Sequence, residues 1–369
     1  MPQDPKRETT REALHMRGAR SFVAGRFETV AREAFDDGWT PEEKDSRELA
    51  TQVTIERARS IISRNESPDV GFEQSINPYR GCEHGCIYCY ARPSHAYLEL
   101  SPGLDFETRL FAKTNAAELL RAALAKPGYV PSPIALGANT DCYQPIERKY
   151  GITRQVLEVL AGCDHPCTIV TKSALVERDL DLLGPMAQKN LVKVFVSIGT
   201  LDRTLARKLE PRAASPQRRL DVLRSLSKNG IPCGVMVAAL IPALNDKTLE
   251  HVLEAAAAAG AAEAAYVVMR LPNELKALFK EWLREHYAQR AEHVISIVRD
   301  MRGGRDNDPR FGTRMSGTGN YAALIEKRFE LACRRFGLNG HGSGRKSPEL
   351  DCGRFRPPTP PHLSQLALF

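Results

Sequence analysis

The stretch RGCEHGCIYCYARPSHAYLEL, residues 80–100, gathers Cys82, Cys86 and Cys89 into one short loop. Three thiols at this spacing can serve a disulfide, a zinc ion or an iron–sulfur cluster. A disulfide framework belongs to exported chains. Here the nine cysteines are an odd number, and the charged opening MPQDPKRETTREALHMRGAR lacks the apolar core of an export signal. Structural zinc takes four ligands, so three thiolates would need His84, His95 or a distant cysteine to complete the set. A 4Fe–4S cluster held by three cysteines instead keeps one iron without a protein thiolate and open to a small molecule. Gly81 and Gly85 suit a tight backbone curl that lets the sulfurs converge. The cluster is the expected occupant, with zinc as the alternative.

A loop of this kind needs a rigid frame. With 369 residues, 42% of them hydrophobic, the chain can bury a sizeable core. Short apolar runs at 133–138, 167–172, 192–199, 231–240 and 264–271 read as strands. Between them ITRQVLEVLAG, LVERDLDLLGPMAQ, SPQRRLDVLRSLSKNG and DKTLEHVLEAAAAAG carry apolar residues at helical spacing. This alternation predicts an α/β fold with right-handed crossovers and a parallel sheet, open or rolled into a full or partial barrel, whose chemistry gathers at the C-terminal strand ends. Residues 1–70 read as a partly ordered arm, 71–272 as the core, 273–337 as a helical extension and 338–369 as a flexible tail rich in Gly, Pro and Ser. No stretch reaches about 18 uninterrupted apolar residues, so no membrane partner is expected and the expected location is the cytoplasm. The net charge of +7 is permissive for a polyanionic partner without being diagnostic, because 45 acidic residues are interspersed.

The pattern CxxxCxxC, with an aromatic just before its last cysteine and placed after the first strand of a βα repeat, resembles the radical SAM superfamily. More narrowly, NPYRGCEHGCIYCYARPSHAYLEL, TDCYQPIE and RFGTRMSGTGNYAALIEKRF resemble its spore photolyase-like, or DNA repair photolyase-like, branch. The resemblance implies a partial (β/α)6 TIM-like barrel of the radical SAM type, with the N-terminal arm, C-terminal helices and tail appended. It implies that Cys82, Cys86 and Cys89 hold a 4Fe–4S cluster whose open iron chelates S-adenosylmethionine, and that a flavodoxin- or ferredoxin-type donor reduces it. Cleavage then yields a 5'-deoxyadenosyl radical that abstracts hydrogen from a substrate.

By the same resemblance Tyr88 shields the cluster near the adenine. Asn139, Thr140 and Asp141 stand where related enzymes bind the SAM amino group, commonly through a Gly-Gly-Glu turn that this chain lacks. Lys172 faces the SAM carboxylate, and Ser197 offers a ribose or carboxylate contact. Glu210 and Arg212 read equally well as an anion contact or a salt-bridged loop. The branch's hydrogen-donating cysteine falls at Ala138, which puts an identical photoproduct reversal in doubt; Cys142, downstream, is the substitute candidate. Cys163, His165 and Cys167 read as buried residues of a helix–strand junction, Cys233 as core, and His95 as a structural histidine.

The chain ends in QLALF, which resembles the bacterial sliding-clamp binding peptide. Gln365 would hydrogen-bond at a pocket rim while Leu366, Leu368 and Phe369 fill it. The expected function is a radical SAM enzyme acting on DNA, as in lesion repair, held near its substrate by the clamp. The alternatives are an enzyme modifying RNA or protein and a non-catalytic iron–sulfur sensor associated with DNA.

Overall fold

The computed structural model describes residues 17–28, 50–341 and 348–358. Its strands in chain order are β1 (Gln52–Glu56), β2 (Ile62–Arg64), β3 (Gln74–Ile76), β4 (Tyr79–Arg80), β5 (Arg109–Lys113), β6 (Ile134–Leu136), β7 (Cys167–Thr171), β8 (Val192–Ser197), β9 (Cys233–Leu240) and β10 (Glu263–Val268). The main sheet runs β10-β9-β8-β7-β6-β3-β2. The pairings from β3 through β10 are all parallel, and β2 closes one edge antiparallel to β3. Its ends do not pair with each other, so the expected partial barrel is an open arc of six parallel strands plus this edge strand.

Each crossover helix forms for a legible reason. In Ile152–Gly162 the residues Ile152, Val156, Leu157, Val159 and Leu160 are buried on one face against the sheet. Helix Pro216–Lys228 starts with proline in its first turn, where no backbone donor is lost, and the Ser215 hydroxyl accepts from the Arg218 amide. One core lies between the sheet and its crossover helices: Ile134, Ile169, Val194, Val235 and Leu253 are all fully buried within it. Each such aliphatic side chain contributes about 2 kcal/mol.

A small second sheet, absent from the sequence reading, sits beside the arc in the order β1-β5-β4. A second apolar cluster packs Ile87 and Tyr88 against Leu205, Leu209, Phe279 and Trp282. It seats the helical stretch Leu275–Asp300, which is kinked at Tyr287, against the cysteine loop. The free edge of β10 is covered when the Val268 amide donates to the Met315 carbonyl.

Two boundaries read from composition change. Within 1–70, residues 17–28 are built into the fold, with Ala19 wholly buried, and β1 and β2 belong to sheets. Within 338–369, residues 348–358 dock beneath the N-terminal strand ends: Asp351 N donates to Asn190 O and Arg356 N to Cys163 O, both at 2.9 Å. The Phe355 ring lies 5.4 Å from Tyr129 and 5.3 Å from His165. One aromatic side chain and two backbone bonds anchor a segment whose average composition signals a linker. Gln365, Leu366, Leu368 and Phe369 lie outside the described residues.

Candidate active site

The cysteine loop leaves β4 at Gly81, with φ of 73°, and turns again at Gly85, with φ of 68°. A Cβ at Gly81 would stand 2.8 Å from the Phe106 carbonyl oxygen, and one at Gly85 2.6 Å from a Glu107 carboxylate oxygen. Both positions require glycine, for conformation and for space. Cys82 N donates to Phe106 O at 2.9 Å. Arg92, wholly buried, then ties the loop from behind: its guanidinium donates to the carbonyls of Gly85, Cys86, Pro102 and Gly103 and to the Glu107 carboxylate. Glu107, also wholly buried, accepts in addition from the amides of Gly18 and Ala19 at 2.9 and 2.8 Å. A buried ion pair holds its place when its remaining hydrogen-bonding capacity is filled, as it is here.

The two segments NPYRGCEHGC and TDCYQPIE are locked together side chain by side chain. Gln144 accepts from Glu83 N at 2.9 Å and donates to Gly81 O at 3.0 Å. Tyr79 donates to the Glu147 carboxylate. Asn77 Oδ1 accepts from Asn139 N at 2.9 Å. Asp141 accepts from Tyr143 N, the Thr171 hydroxyl and Lys172 N, and lies 3.2 Å from His84 Nδ1. That last approach is a close contact without the alignment of a hydrogen bond, since His84 Nδ1 has no hydrogen-bond partner. Burial pushes the Asp141 carboxyl up, but His84, Lys172 N and Thr171 outweigh it and hold it down at about 2.

On the opposite flank Tyr88 donates to Glu210, which pairs with the buried Arg219. Arg219 also donates to Ser197 O at 2.8 Å. Burial opposes ionisation of Glu210, yet Arg219 and Lys172 hold its carboxyl below the usual range. Lys172 Nζ stands 5.9 Å from the centre of the Tyr88 ring. Burial lowers the Lys172 pKa, but Cys86 and Glu210 outweigh it and raise it above the usual value, so the ammonium persists. Arg212 donates to Glu83 at 2.8 Å, the salt-bridged loop contact.

The expected residues are therefore partly united. Cys82, Cys86, Cys89, Tyr88, Lys172 and Ser197 meet at the C-terminal strand ends. Among Asn139, Thr140 and Asp141, the Asp141 carboxylate is filled by internal donors, and the Thr140 hydroxyl donates to Tyr79 O at 2.8 Å. Asn139 is exposed. The Ser197 hydroxyl donates to Ala238 O at 3.2 Å. Cys142 has 0% exposure and packs in the main apolar core, a different cluster from those that hold the three loop cysteines. At Ala138, the position of the missing donor, the Tyr90 hydroxyl donates to the carbonyl. His95 Nε2 lies 2.9 Å from Arg109 O beneath the loop, and burial lowers its pKa to about 4. His165 is held between Tyr129 and Pro166 O, away from the loop.

Gln144, Arg92, Glu107 and Asn77 were missed from sequence. Gln144 and Asn77 lie inside the quoted motifs, which was the available signal; Glu107 and the buried role of Arg92 had none.

The donor set fits a cluster. All nine cysteines are free thiols, and the charges of Cys86 and Cys89 each raise the Cys82 pKa after burial and Asp141, so the three sulfurs share one environment. Burial likewise pushes the Cys86 thiol to about 12, so a thiolate there calls for a bound cation, which the irons of a cluster would supply. Among the described residues no three His, Cys, Asp or Glu side chains stand close enough to share one metal ion. Three cysteines that each bind a different iron of a cube need not surround one point, so this spacing is compatible with a cluster.

The radical SAM superfamily matches residues 76–256 of the chain. An uncharacterized protein of Mycobacterium tuberculosis is 39% identical over 254 residues, covering 68% of this chain and 74% of its own. One of Methanocaldococcus jannaschii is 29% identical over 190 residues, covering 52% and 68%. A mutant spore photoproduct lyase with bound AdoMet and dinucleoside spore photoproduct shares the fold, with TM-score 0.58 at 15% identity, covering 81% of this chain and 84% of that one. Among the described residues no helix is long and apolar enough to cross a membrane. The three-cysteine loop at the mouth of a six-strand parallel arc, together with these matches, places the chain in the radical SAM superfamily, whose enzymes use a 4Fe–4S cluster and S-adenosylmethionine.

Proposed function

We propose that this radical SAM enzyme acts on nucleic acid, specifically on a damaged or modified base in DNA. The observation carrying this reading is the rim of the arc after β10. There the Arg270 guanidinium stacks 5.8 Å from the Tyr90 ring, and the Arg314 guanidinium 4.5 Å from the Phe311 ring. Tyr90 is 48% exposed and Phe311 59% exposed. Alternating rings and guanidinium groups at an open mouth offer stacking faces to bases and charge to phosphates. Burial and the neighbouring Arg314 lower the Arg270 pKa, against the pull of Asp69, which pairs with Arg314, so Arg270 carries the charge this rim offers. Support of a coarser kind comes from the fold shared with spore photoproduct lyase.

In this reading Cys82, Cys86 and Cys89 hold the cluster, Asn139 faces the SAM amine, and Lys172 neutralises its carboxylate. Tyr88, fixed by Glu210, forms a wall that keeps water out. When bound and reduced, the cluster supplies the electron that cleaves S-adenosylmethionine to methionine and a hydrogen-abstracting radical. The reducing electron comes from a flavodoxin- or ferredoxin-type donor in the cytoplasm.

The test is anaerobic reconstitution followed by turnover with oligonucleotides deuterated at candidate lesion sites. Deuterium should enter 5'-deoxyadenosine, and Cys86→Ala should abolish both SAM cleavage and the transfer. SAM cleavage with no transfer from any DNA, but transfer from RNA or a peptide, would replace DNA as the substrate. The QLALF segment is proposed as a tether to the sliding clamp. Removing residues 365–369 should abolish binding to a bacterial clamp in a titration while leaving SAM cleavage unchanged.

A further inference from the structure

Beside the cysteine loop, outside the rim just described, lies a groove of about 1080 Å³ whose walls come from three parts of the chain. The N-terminal segment contributes Arg17 and Arg20, the helix Arg203–Leu209 contributes Arg203, Arg207 and Lys208, and Glu210 and Arg219 lie at its base. We propose that this groove is a second nucleic-acid site, which grips the phosphodiester backbone of the strand whose base enters the arc. It rests on the reading of nucleic acid as substrate and adds to it a backbone-positioning surface.

Three observations carry the assignment. The lining carries an excess of positive charge: Glu210, the acidic residue lining the groove, is paired with Arg219, so the two cancel. At the edges Arg20 pairs with Glu285 at 3.2 Å, and Asp202, which caps the short helix by accepting from Thr204 N and Leu205 N, is an acidic neighbour of Arg203 in the chain. Arg203 and Arg207 are exposed and have no ion pair in the described structure.

The cations are also held in place. Arg17 donates to Glu107 O at 3.0 Å and to the Thr51 hydroxyl at 3.1 Å. Trp282 Nε1 donates to Lys208 O at 3.1 Å, pinning the short helix, and Lys208 Nζ lies 4.8 Å from the Tyr287 ring. Arg203 and Arg207, four residues apart, sit about one helical turn or 6 Å from each other, which matches successive phosphates along a strand better than it matches one compact anion.

Finally, the groove touches the chemistry. Glu210 at its base receives the Tyr88 hydroxyl from the cysteine loop, and Gly18 and Ala19, next to Arg17, bind the carboxylate of Glu107 that clamps the same loop. A strand gripped here runs past the mouth where its base must turn in.

Fluorescence anisotropy of the reconstituted full chain with a labelled single-stranded DNA oligonucleotide, over a salt series, tests this. The double variant Arg203→Gln/Arg207→Gln should bind about tenfold more weakly, with a slope of log affinity on log salt shallower by about 1.5. SAM cleavage without oligonucleotide should be unchanged, which also certifies folding. The same charge loss at exposed Arg334→Gln/Arg335→Gln should leave affinity within about twofold of wild type. Equal weakening by both pairs would reduce the effect to net charge and overturn the site. Wild-type binding with an unaltered double variant would overturn the site alone, and the same result with slowed reduction by an acidic flavodoxin would assign the groove to a protein donor. No oligonucleotide binding by wild type would instead sink the nucleic-acid reading itself.

Discussion

Cys142 and Asp141 are neighbours in sequence and part company in the structure. Cys142 is turned into the core beside Gly137, whose Cβ, if present, would lie 3.6 Å from its sulfur. Burial together with Asp141 and Glu147 drives its thiol pKa well up, so the group remains a neutral apolar filler. Replacing it should therefore cost about 1 kcal/mol of stability from lost packing. Cys142→Ala should leave the yield of final product per SAM consumed unchanged, measured by chromatography of both products; a fall in that yield would restore Cys142 as the hydrogen donor. Asp141 instead uses its carboxylate to join His84 of the cysteine loop to the end of β7, a positioning role that its exposed neighbour Asn139 does not share.

At the scale of elements, the cysteine loop is shaped mostly by its neighbours. Its own residues supply the two left-handed glycines, but the polar groups of its backbone are satisfied by Gln144, Arg92 and Phe106. Gln144→Ala leaves the Glu83 amide and the Gly81 carbonyl buried without their partners, a cost of about 1–3 kcal/mol for each group that water cannot reach. Loss of iron on desalting should rise several-fold while far-UV circular dichroism stays unchanged. Retention of iron at the wild-type level would mean that Arg92 and the Phe106 carbonyl suffice. The helix Ile152–Gly162 and its companions were readable because their apolar faces repeat every three to four residues. The sheet β1-β5-β4 was not, because β4 is two residues long and β1 is mostly exposed, so neither carries a clear alternation.

Across the whole molecule, two buried histidines make stability depend on pH. Burial lowers both His95 and His165 to about 4, while an unfolded histidine titrates near 6.5. As pH falls below about 6.5 the unfolded chain binds protons that the folded chain refuses, so stability is full above that value and declines towards pH 4. His165 lies at the bottom of the arc, far from the cysteine loop and against Phe355 of the docked segment. In urea unfolding, wild type should lose stability from pH 7 to pH 4.5, and His165→Gln should flatten part of that slope. An identical slope in the variant would mean that His165 titrates normally in the folded chain.

The sequence by itself carried the scaffold pattern and the cysteine motif whose family resemblance implies the reaction type. Three closely spaced thiols leave one iron without a protein ligand, and the alternation of short apolar runs with amphipathic helices allows little besides a parallel βα array. Both are local patterns, readable without knowing what lies beside them. Only the tertiary structure decided which polar groups remain free. It sealed Cys142 in the core, filled Asp141 and Thr140 with internal hydrogen bonds, and set Arg92 and Glu107 behind the loop. It also collected Arg17, Arg20, Arg203, Arg207 and Lys208 into one groove. The physical reason is that a side chain's chemistry depends on its exposure and on partners distant in the chain, and both are fixed only when the arc closes around them.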